Sequence, residues 1–279
     1  MTESPLEQAM SPDIIDQSWH RLKTEHTPWS PQVTREALQS NLLHHILTLR
    51  EDVLRGTYRP KPLRQFPMQK ADGKQRIITA QYLADKLIQR ALLIVLEPKA
   101  ERLFHDNSYA YRPKRSVNDA IAKVREHVRC GRAWLVDADI EKFFDNIPHN
   151  RLLKRLKGFV DDDKTFKLLA VWLEQGAHHK SLLGKRLGIP QGAILSPLMC
   201  NLYMHDFDMS LTEANIPFVR FADDFLLFTD SEKNARAAME YARYQLDKLG
   251  LKLHPQKTRV VQSGPRVVFL GQKLPCAKR

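Results

Sequence analysis

Residues Phe218-Val219-Arg220-Phe221-Ala222-Asp223-Asp224-Phe225-Leu226-Leu227-Phe228 set two apolar arms around two adjacent acids. The arms are aromatic and aliphatic, so they read as buried strands, and the acids fall where a tight hairpin would turn. Successive side chains on a strand point to opposite faces. A turn relaxes that rule and can bring both carboxylates toward one side. Two like charges at the mouth of an apolar hairpin repel each other and lose hydration. A divalent cation would offset both costs. An ordinary Asp-Asp turn reads the same way in isolation, because Asp is a common turn residue. A partner acid elsewhere in the chain separates the two readings.

The stretch Ala133-Trp134-Leu135-Val136-Asp137-Ala138-Asp139-Ile140 supplies that partner. Val136, Ala138 and Ile140 share one strand face, and Leu135, Asp137 and Asp139 share the other. Asp139 lies near the strand end. Together with Asp223 and Asp224 it makes a three-carboxylate set, and hard oxygen ligands of this kind suit Mg²⁺. Two such ions about 3.5–4 Å apart activate a hydroxyl and stabilise a leaving pyrophosphate.

Charge narrows the substrate. The 279 residues carry a formal net charge of +12, which points to a polyanionic partner, nucleic acid before membrane. The basic residues are scattered, so a groove built from several segments is expected rather than a basic arm. Cys130, Cys200 and Cys276 lie far apart and form no CxxC pair, which argues against a zinc site or a disulfide framework. His178-His179 lacks nearby Cys partners and reads as loop polarity. No apolar run is long enough to span a bilayer, and Met1-Thr2-Glu3-Ser4-Pro5 lacks the basic and apolar regions of a signal peptide. A reducing cytoplasm, with no membrane partner, is the expected setting.

The rest of the chain frames these segments. Residues 1–56 read as helical, one segment opening at Pro12 and another running from Ser30-Pro31 through Leu54 to a stop at Gly56. Phe66 to Lys70 and Gln75 to Thr79 read as strands joined by a turn, gathering Lys70, Lys74 and Arg76 near a basic hairpin tip. The tip is either a phosphate clamp or a solvated surface. A helix from Leu83 to Leu96 is expected to end at Pro98. Around Tyr109 to Arg115, aromatics alternate with Arg112, Lys114 and Arg115, as in a base- and phosphate-gripping segment or a packed loop. Gly188-Ile189-Pro190-Gln191-Gly192 reads as a turn, either a plain Pro-Gly turn or one in which backbone can approach a ligand and Gln191 offers an amide. A helix from Glu232 to Leu249 stops at Gly250.

The order of these strings resembles the reverse transcriptases of the group II intron lineage. The matching segments are Lys70–Arg76, Ser108-Tyr109-Ala110-Tyr111-Arg112-Pro113, Asp139-Ile140-Glu141-Lys142-Phe143-Phe144-Asp145, Ile189 to Leu198, Phe221-Ala222-Asp223-Asp224, Leu249 to Thr258, and Phe269-Leu270-Gly271. The resemblance implies an α+β right-hand polymerase with interleaved fingers and palm and an antiparallel palm sheet flanked by helices. It divides the chain into an N-terminal helical extension at 1–56, fingers at 57–134 with part of 150–190, a palm at 135–271 and a tail at 272–279. It implies that Asp139, Asp223, Asp224 and the Ile140 carbonyl hold two Mg²⁺ ions, with Mn²⁺ as a substitute. Lys70 and Arg76 would bind the incoming triphosphate, Gln191 would sit beside the nucleotide, and Phe144 would lie under its sugar. Lys257 would stand near the leaving pyrophosphate. Arg112 and Phe269-Leu270-Gly271 would contact primer and template.

The implied reaction is extension of a DNA or RNA primer with dNTPs on an RNA template. The alternative is a catalytically silent RNA-binding scaffold within a larger nucleoprotein complex. The family commonly has Tyr where Phe221 stands. The sequence reaches Arg279 soon after the primer-grip string, so a thumb is expected to be absent or minimal and synthesis by the isolated chain distributive. A partner protein supplying thumb or integrase function is expected. The short build is similar to reverse transcriptases of CRISPR adaptation and of phage defence.

Overall fold

The computed structural model describes residues 3–69, 75–177, 179–180 and 186–276, with only the backbone described for Gln65, Gln75, Arg76, Ile77, Ile78, His179 and Lys180. The first elements are α1 (Pro5–Ala9), α2 (Pro12–Leu22), α3 (Arg35–Ser40) and α4 (Leu42–Arg55), followed by β1 (Arg64–Gln69), β2 (Gln75–Ala80) and α5 (Leu83–Leu103). Next come α6 (Val117–Arg129), β3 (Trp134–Asp139), α7 (Phe143–Asn146), α8 (His149–Phe159) and α9 (Asp163–Gln175). Then follow β4 (His179–Lys180), β5 (Arg186–Leu187), α10 (Ser196–Glu213), β6 (Phe218–Phe221), β7 (Asp224–Thr229) and α11 (Glu232–Leu249). The last elements are β8 (Arg259–Gln262), β9 (Val268–Phe269) and β10 (Gln272–Lys273). The α+β class expected from the sequence is the class observed.

The chain forms two compact units, each made of two segments. Residues 1–102 and 149–199 make the first, and 103–148 and 200–279 make the second.

The first unit is built on α5. Leu83, Leu87, Ile88, Ala91 and Leu92 are all fully buried on it, together with Asp85 and Gln89. Burial raises the pKa of Asp85, and the carboxylate is satisfied by the Tyr58 hydroxyl and, at 3.1 Å, by the Lys61 amide. The Leu83 and Ala84 amides, left without partners inside their own helix, donate to Pro28 O and Trp29 O at 2.9 and 3.2 Å. Two sequence expectations change here. The helix does not stop before Pro98 but continues to Leu103 with the proline inside it. An internal proline costs about 3 kcal/mol, which burial of Leu96 and Ala100 on either side offsets. The segment expected to run unbroken from Ser30 is two helices. Thr34 caps α3 by accepting from the Ala37 amide at 3.2 Å, and Asn41 separates it from α4. Gly56 ends α4 with φ 74°, a left-handed cap that suits glycine.

The second unit holds a four-stranded antiparallel sheet in the order β6-β7-β3-β8. Residues directly opposite in an antiparallel pair share a face. Leu135 faces Phe228 and Val261, Asp137 faces Leu226 and Arg259, and Asp139 faces Asp224. This face is therefore apolar at one end and acidic at the other. The apolar end packs with Ala120, Ile121 and Val124 of α6 and with Val267, Phe269 and Leu274 in one buried cluster. The opposite face carries Phe225, whose ring meets Phe207 of α10 edge-on at 5.1 Å.

His127 of α6 belongs to this core. It is buried, its ring stacks on Phe228 at 4.5 Å, and its pKa is lowered to about 4, by burial first and then by repulsion from Lys123 and Arg132. The folded protein thus keeps the ring neutral, while the unfolded chain takes up a proton near the ordinary value of 6.5. Stability from this site is complete above pH 6.5 and is lost as pH falls toward 4. The melting temperature of His127→Phe is expected to fall less steeply than that of the parent over that interval. Parallel slopes in a pH series of thermal melts would reject the assignment.

Candidate active site

Asp139 is the last residue of β3 and lies directly opposite Asp224, the first residue of β7. The hairpin turn is Ala222-Asp223, not Asp223-Asp224 as the sequence suggested, because Asp224 already pairs with Phe221 in the ladder. The two acids therefore arise differently. Asp224 faces Asp139 by strand register, and Asp223 is carried by the turn. Ala222 adopts φ 62°, a left-handed conformation that non-glycine residues disfavour. Burial, then repulsion from Asp223 and Asp139, raises the Asp224 pKa to about 6, with Lys257 opposing the shift. Asp137, on the same sheet face, is also raised by burial, and Arg259 Nε donates to its Oδ2 at 3.0 Å.

Lys257 Nζ donates to Asp139 Oδ2 at 2.7 Å. That bond, with the fields of Asp139, Asp224 and Asp223, raises the lysine pKa. Its segment is pinned by backbone bonds, His254 N to Asp139 O at 2.8 Å and Glu141 N to Lys252 O at 2.8 Å. Ile140 is buried and bridges Leu253. Among the described residues no three Asp, Glu, His or Cys side chains converge as a ready cation cage. The donor chemistry nevertheless fits a divalent ion. Burial, with the neighbouring carboxylates adding to it, raises Asp224, and a lysine occupies one oxygen of Asp139.

The other expected site residues of this unit lie at the corner after β3, in the Ser108 loop and at the β9–β10 turn. Phe143 is buried and Phe144 half-buried, with ring centroids 5.5 Å apart in an edge contact. Lys142 before them has φ 45°, which turns the chain sharply after β3. Arg112 is buried, and its Nη1 donates to His105 O and Ser108 O at 2.7 and 2.8 Å. Phe269 sits in the apolar cluster, while Leu270 and Gly271, at φ 51° and 77°, form the tight turn between β9 and β10.

The first unit carries the remaining ones. Gln191 O accepts from Thr79 N at 3.2 Å and Thr79 Oγ1 at 2.8 Å, tying its turn to β2. Gly192 at φ 104° needs glycine's freedom. Arg76 lies in β2 opposite Met68, with only its backbone described. Lys70 lies outside the described residues. Gly176 backs the Gln191 turn. A Cβ built there would fall 2.2 Å from Pro190 Cδ. Gly176→Ala is expected to cost about 1–3 kcal/mol by overpacking. An unchanged melting temperature would refute this.

Sequence reasoning missed Arg220, Asp208 and Asn201. Arg220 is among the largest fully buried side chains of the described residues, with 1% exposure. The signal was legible: a charged residue inside an apolar strand, and an acid inside an apolar helix, each require a buried partner.

The sheet with paired carboxylates at its hairpin defines a nucleotide polymerase palm. The reverse transcriptase (RNA-dependent DNA polymerase) family matches residues 68–274, and the chain belongs to that family. The family's chemistry depends on divalent metal. Protein YkfC of Escherichia coli (strain K12) is 30% identical, over 90% of this chain and 77% of its own length. Group II intron-encoded protein LtrA of Lactococcus lactis subsp. cremoris is 36% identical over 59% of this chain and 28% of that protein. Among solved structures, a chain of a partial Cas6-RT-Cas1–Cas2 complex shares the fold, with TM-score 0.52 and 24% identity over 88% of this chain and 43% of that one. The chain thus spans less than a third of LtrA and under half of the Cas6-RT-Cas1 chain. No helix among the described residues is long and apolar enough to cross a membrane.

Proposed function

We propose that this chain extends the 3′-hydroxyl of a DNA or RNA primer with dNTPs copied from an RNA template. The observation that carries the reading is Asp139 directly opposite Asp224, with Asp223 one residue away on a turn. In this reading Asp139, Asp223, Asp224 and the Ile140 carbonyl hold two Mg²⁺ ions, with Mn²⁺ as a substitute. When bound, the ions would stabilise charge as the primer oxygen attacks the α-phosphorus and pyrophosphate leaves. Lys257 would give up its contact with Asp139 and turn toward the leaving pyrophosphate. Phe144, braced by Phe143, would lie under the sugar. Lys70 and Arg76 would bind the triphosphate, and Gln191 would line the nucleotide. Arg112 would act through the 105–108 backbone that it braces, and Leu270-Gly271 would meet the primer from a turn anchored by Phe269. The experiment is primer extension with Mg²⁺ on matched RNA and DNA templates. No product on either would favour the silent RNA-binding scaffold.

We further propose a role in CRISPR spacer acquisition from RNA, with phage defence as the alternative. The support is the shared fold with the Cas6-RT-Cas1 chain. The expected partner is a protein with thumb or integrase function. Co-purification with a co-expressed Cas1-type integrase tests it, and failure to associate would count against it.

A further inference from the structure

We propose that Arg220 is a positioning residue for the acid hairpin: it holds the left-handed turn at Ala222 and thereby fixes Asp223 and Asp224 relative to Asp139. This rests on the reading of those acids given above. The arginine has five N–H donors, and each has a partner. Nε donates to Asp208 Oδ1 at 2.7 Å. One Nη2 hydrogen goes to Asp208 Oδ2 at 2.6 Å and the other to Ser108 Oγ at 2.8 Å. Nη1 donates to Asn201 Oδ1 at 3.2 Å and to Ala222 O at 3.1 Å. Three separate stretches, α10, the Ser108 loop and the hairpin turn, therefore meet on one planar group.

The backbone of Arg220 is tied as firmly as its side chain. Its amide donates to Asn107 O and its carbonyl accepts from Tyr109 N, both at 2.9 Å. Asn201 passes the constraint on, since its Nδ2 donates to Ala110 O at 2.8 Å. Arg220 and Asp208 are each 1% exposed.

An ion pair in such a place does not explain itself by stability. Desolvating two charges offsets most of their attraction, and apolar residues of similar volume commonly fill such sites at no loss. Position 220 shares its sheet face with Phe225, where an apolar side chain would be the default. What an apolar residue lacks is a donor for Ala222 O. That carbonyl belongs to the residue at φ 62°, whose conformation is unfavourable by roughly 1–2 kcal/mol without glycine. The next two residues are Asp223 and Asp224. The fork thus restrains the turn that carries Asp223 and leads directly into Asp224.

Arg220→Lys tests this directly. It keeps the charge facing Asp208 but has a single ammonium that cannot fork between Asp208, Asn201, Ser108 and Ala222. At a temperature well below melting, with folded protein quantified, kcat for primer extension is expected to fall at least about tenfold, equivalent to 1.4 kcal/mol. KM for dNTP and primer-template affinity are expected to stay within about twofold. Amide exchange in the 218–229 segment is expected to speed up. Adding Ala222→Gly, which accepts positive φ without support, is expected to recover part of kcat. If Arg220→Lys does not fold, Asn201→Ala, which removes one acceptor, is expected to show the same exchange change with a smaller kcat loss.

Parent-like kcat and parent-like exchange in a folded variant would overturn the proposal. So would a kcat loss explained entirely by unfolded protein, or no recovery from Ala222→Gly. A parent that extends no primer, with faster hairpin exchange in the variants, would instead overturn the polymerase reading and leave the restraint by Arg220 standing.

Discussion

Asp223→Asn is expected to lower primer extension by about 10³-fold or more, the scale on which removal of one preorganised electrostatic group reduces kcat. The substitution keeps the shape of the turn residue, so the hairpin should fold as before. It removes one carboxylate from a set in which burial first, and then repulsion from Asp223 and Asp139, raises the Asp224 pKa to about 6. That excess charge is what suits a divalent ion. The ion-free variant should accordingly melt no lower than the parent, since a repulsion has been relieved. RNA binding should survive, because a chain of net charge +12 draws its affinity from basic side chains meeting phosphates. Three measurements serve: single-turnover extension, thermal melting without metal, and a filter-binding titration of RNA. Parent-level extension would remove the acids from the reaction. Lost RNA binding would mean that the substitution acts on the fold.

Phe144→Ala is expected to raise the use of ribonucleotides relative to deoxynucleotides by roughly 100-fold, the scale set by a contact of one or two heavy atoms in a pocket. Phe143 is buried as the root of this corner, and Phe144 leans edge-on against it. The alanine removes the half-buried ring and keeps the buried one, so the cost to stability should be modest. Competition between dCTP and CTP in primer extension reads the ratio directly. Equal use of both by the parent would show that the ring does not exclude the 2′-hydroxyl.

Period and composition make much of this legible in the sequence. The alternation of Leu135, Asp137 and Asp139 against Val136 and Ala138 places two acids on one strand face, and the ladder to β7 has that arrangement. Gly56 and Gly250 stop their helices where glycine's left-handed conformation allows it. The sequence misleads where tertiary packing overrides a local rule. Pro98 breaks an isolated helix, but here its neighbours Leu96 and Ala100 are buried deeply enough to carry the helix through it. The turn sits one residue earlier than expected because register, which no local pattern states, pairs Phe221 with Asp224. Arg112, with its aromatic neighbours, reads equally as part of a phosphate-gripping segment or of a packed loop, and in the fold its Nη1 donates to two backbone carbonyls. Lone arginines look alike in sequence whether they face solvent or a carbonyl, and only the fold distinguishes them.

The chain order of the second unit bears on synthesis. β3 is an inner strand, and both of its neighbours, β7 and β8, are translated after the whole 149–199 segment of the other unit. An emerging polypeptide therefore holds Asp139 on an unpaired strand until the residues beyond Asp224 have left the ribosome. Such long-range pairing is slow, and the bare strand edge invites association with other chains in the interval. The same order is also a safeguard. A product broken off between Asp139 and the hairpin contains one of the three acids and neither of its partners, so on the proposed reading an incomplete chain would lack the metal site.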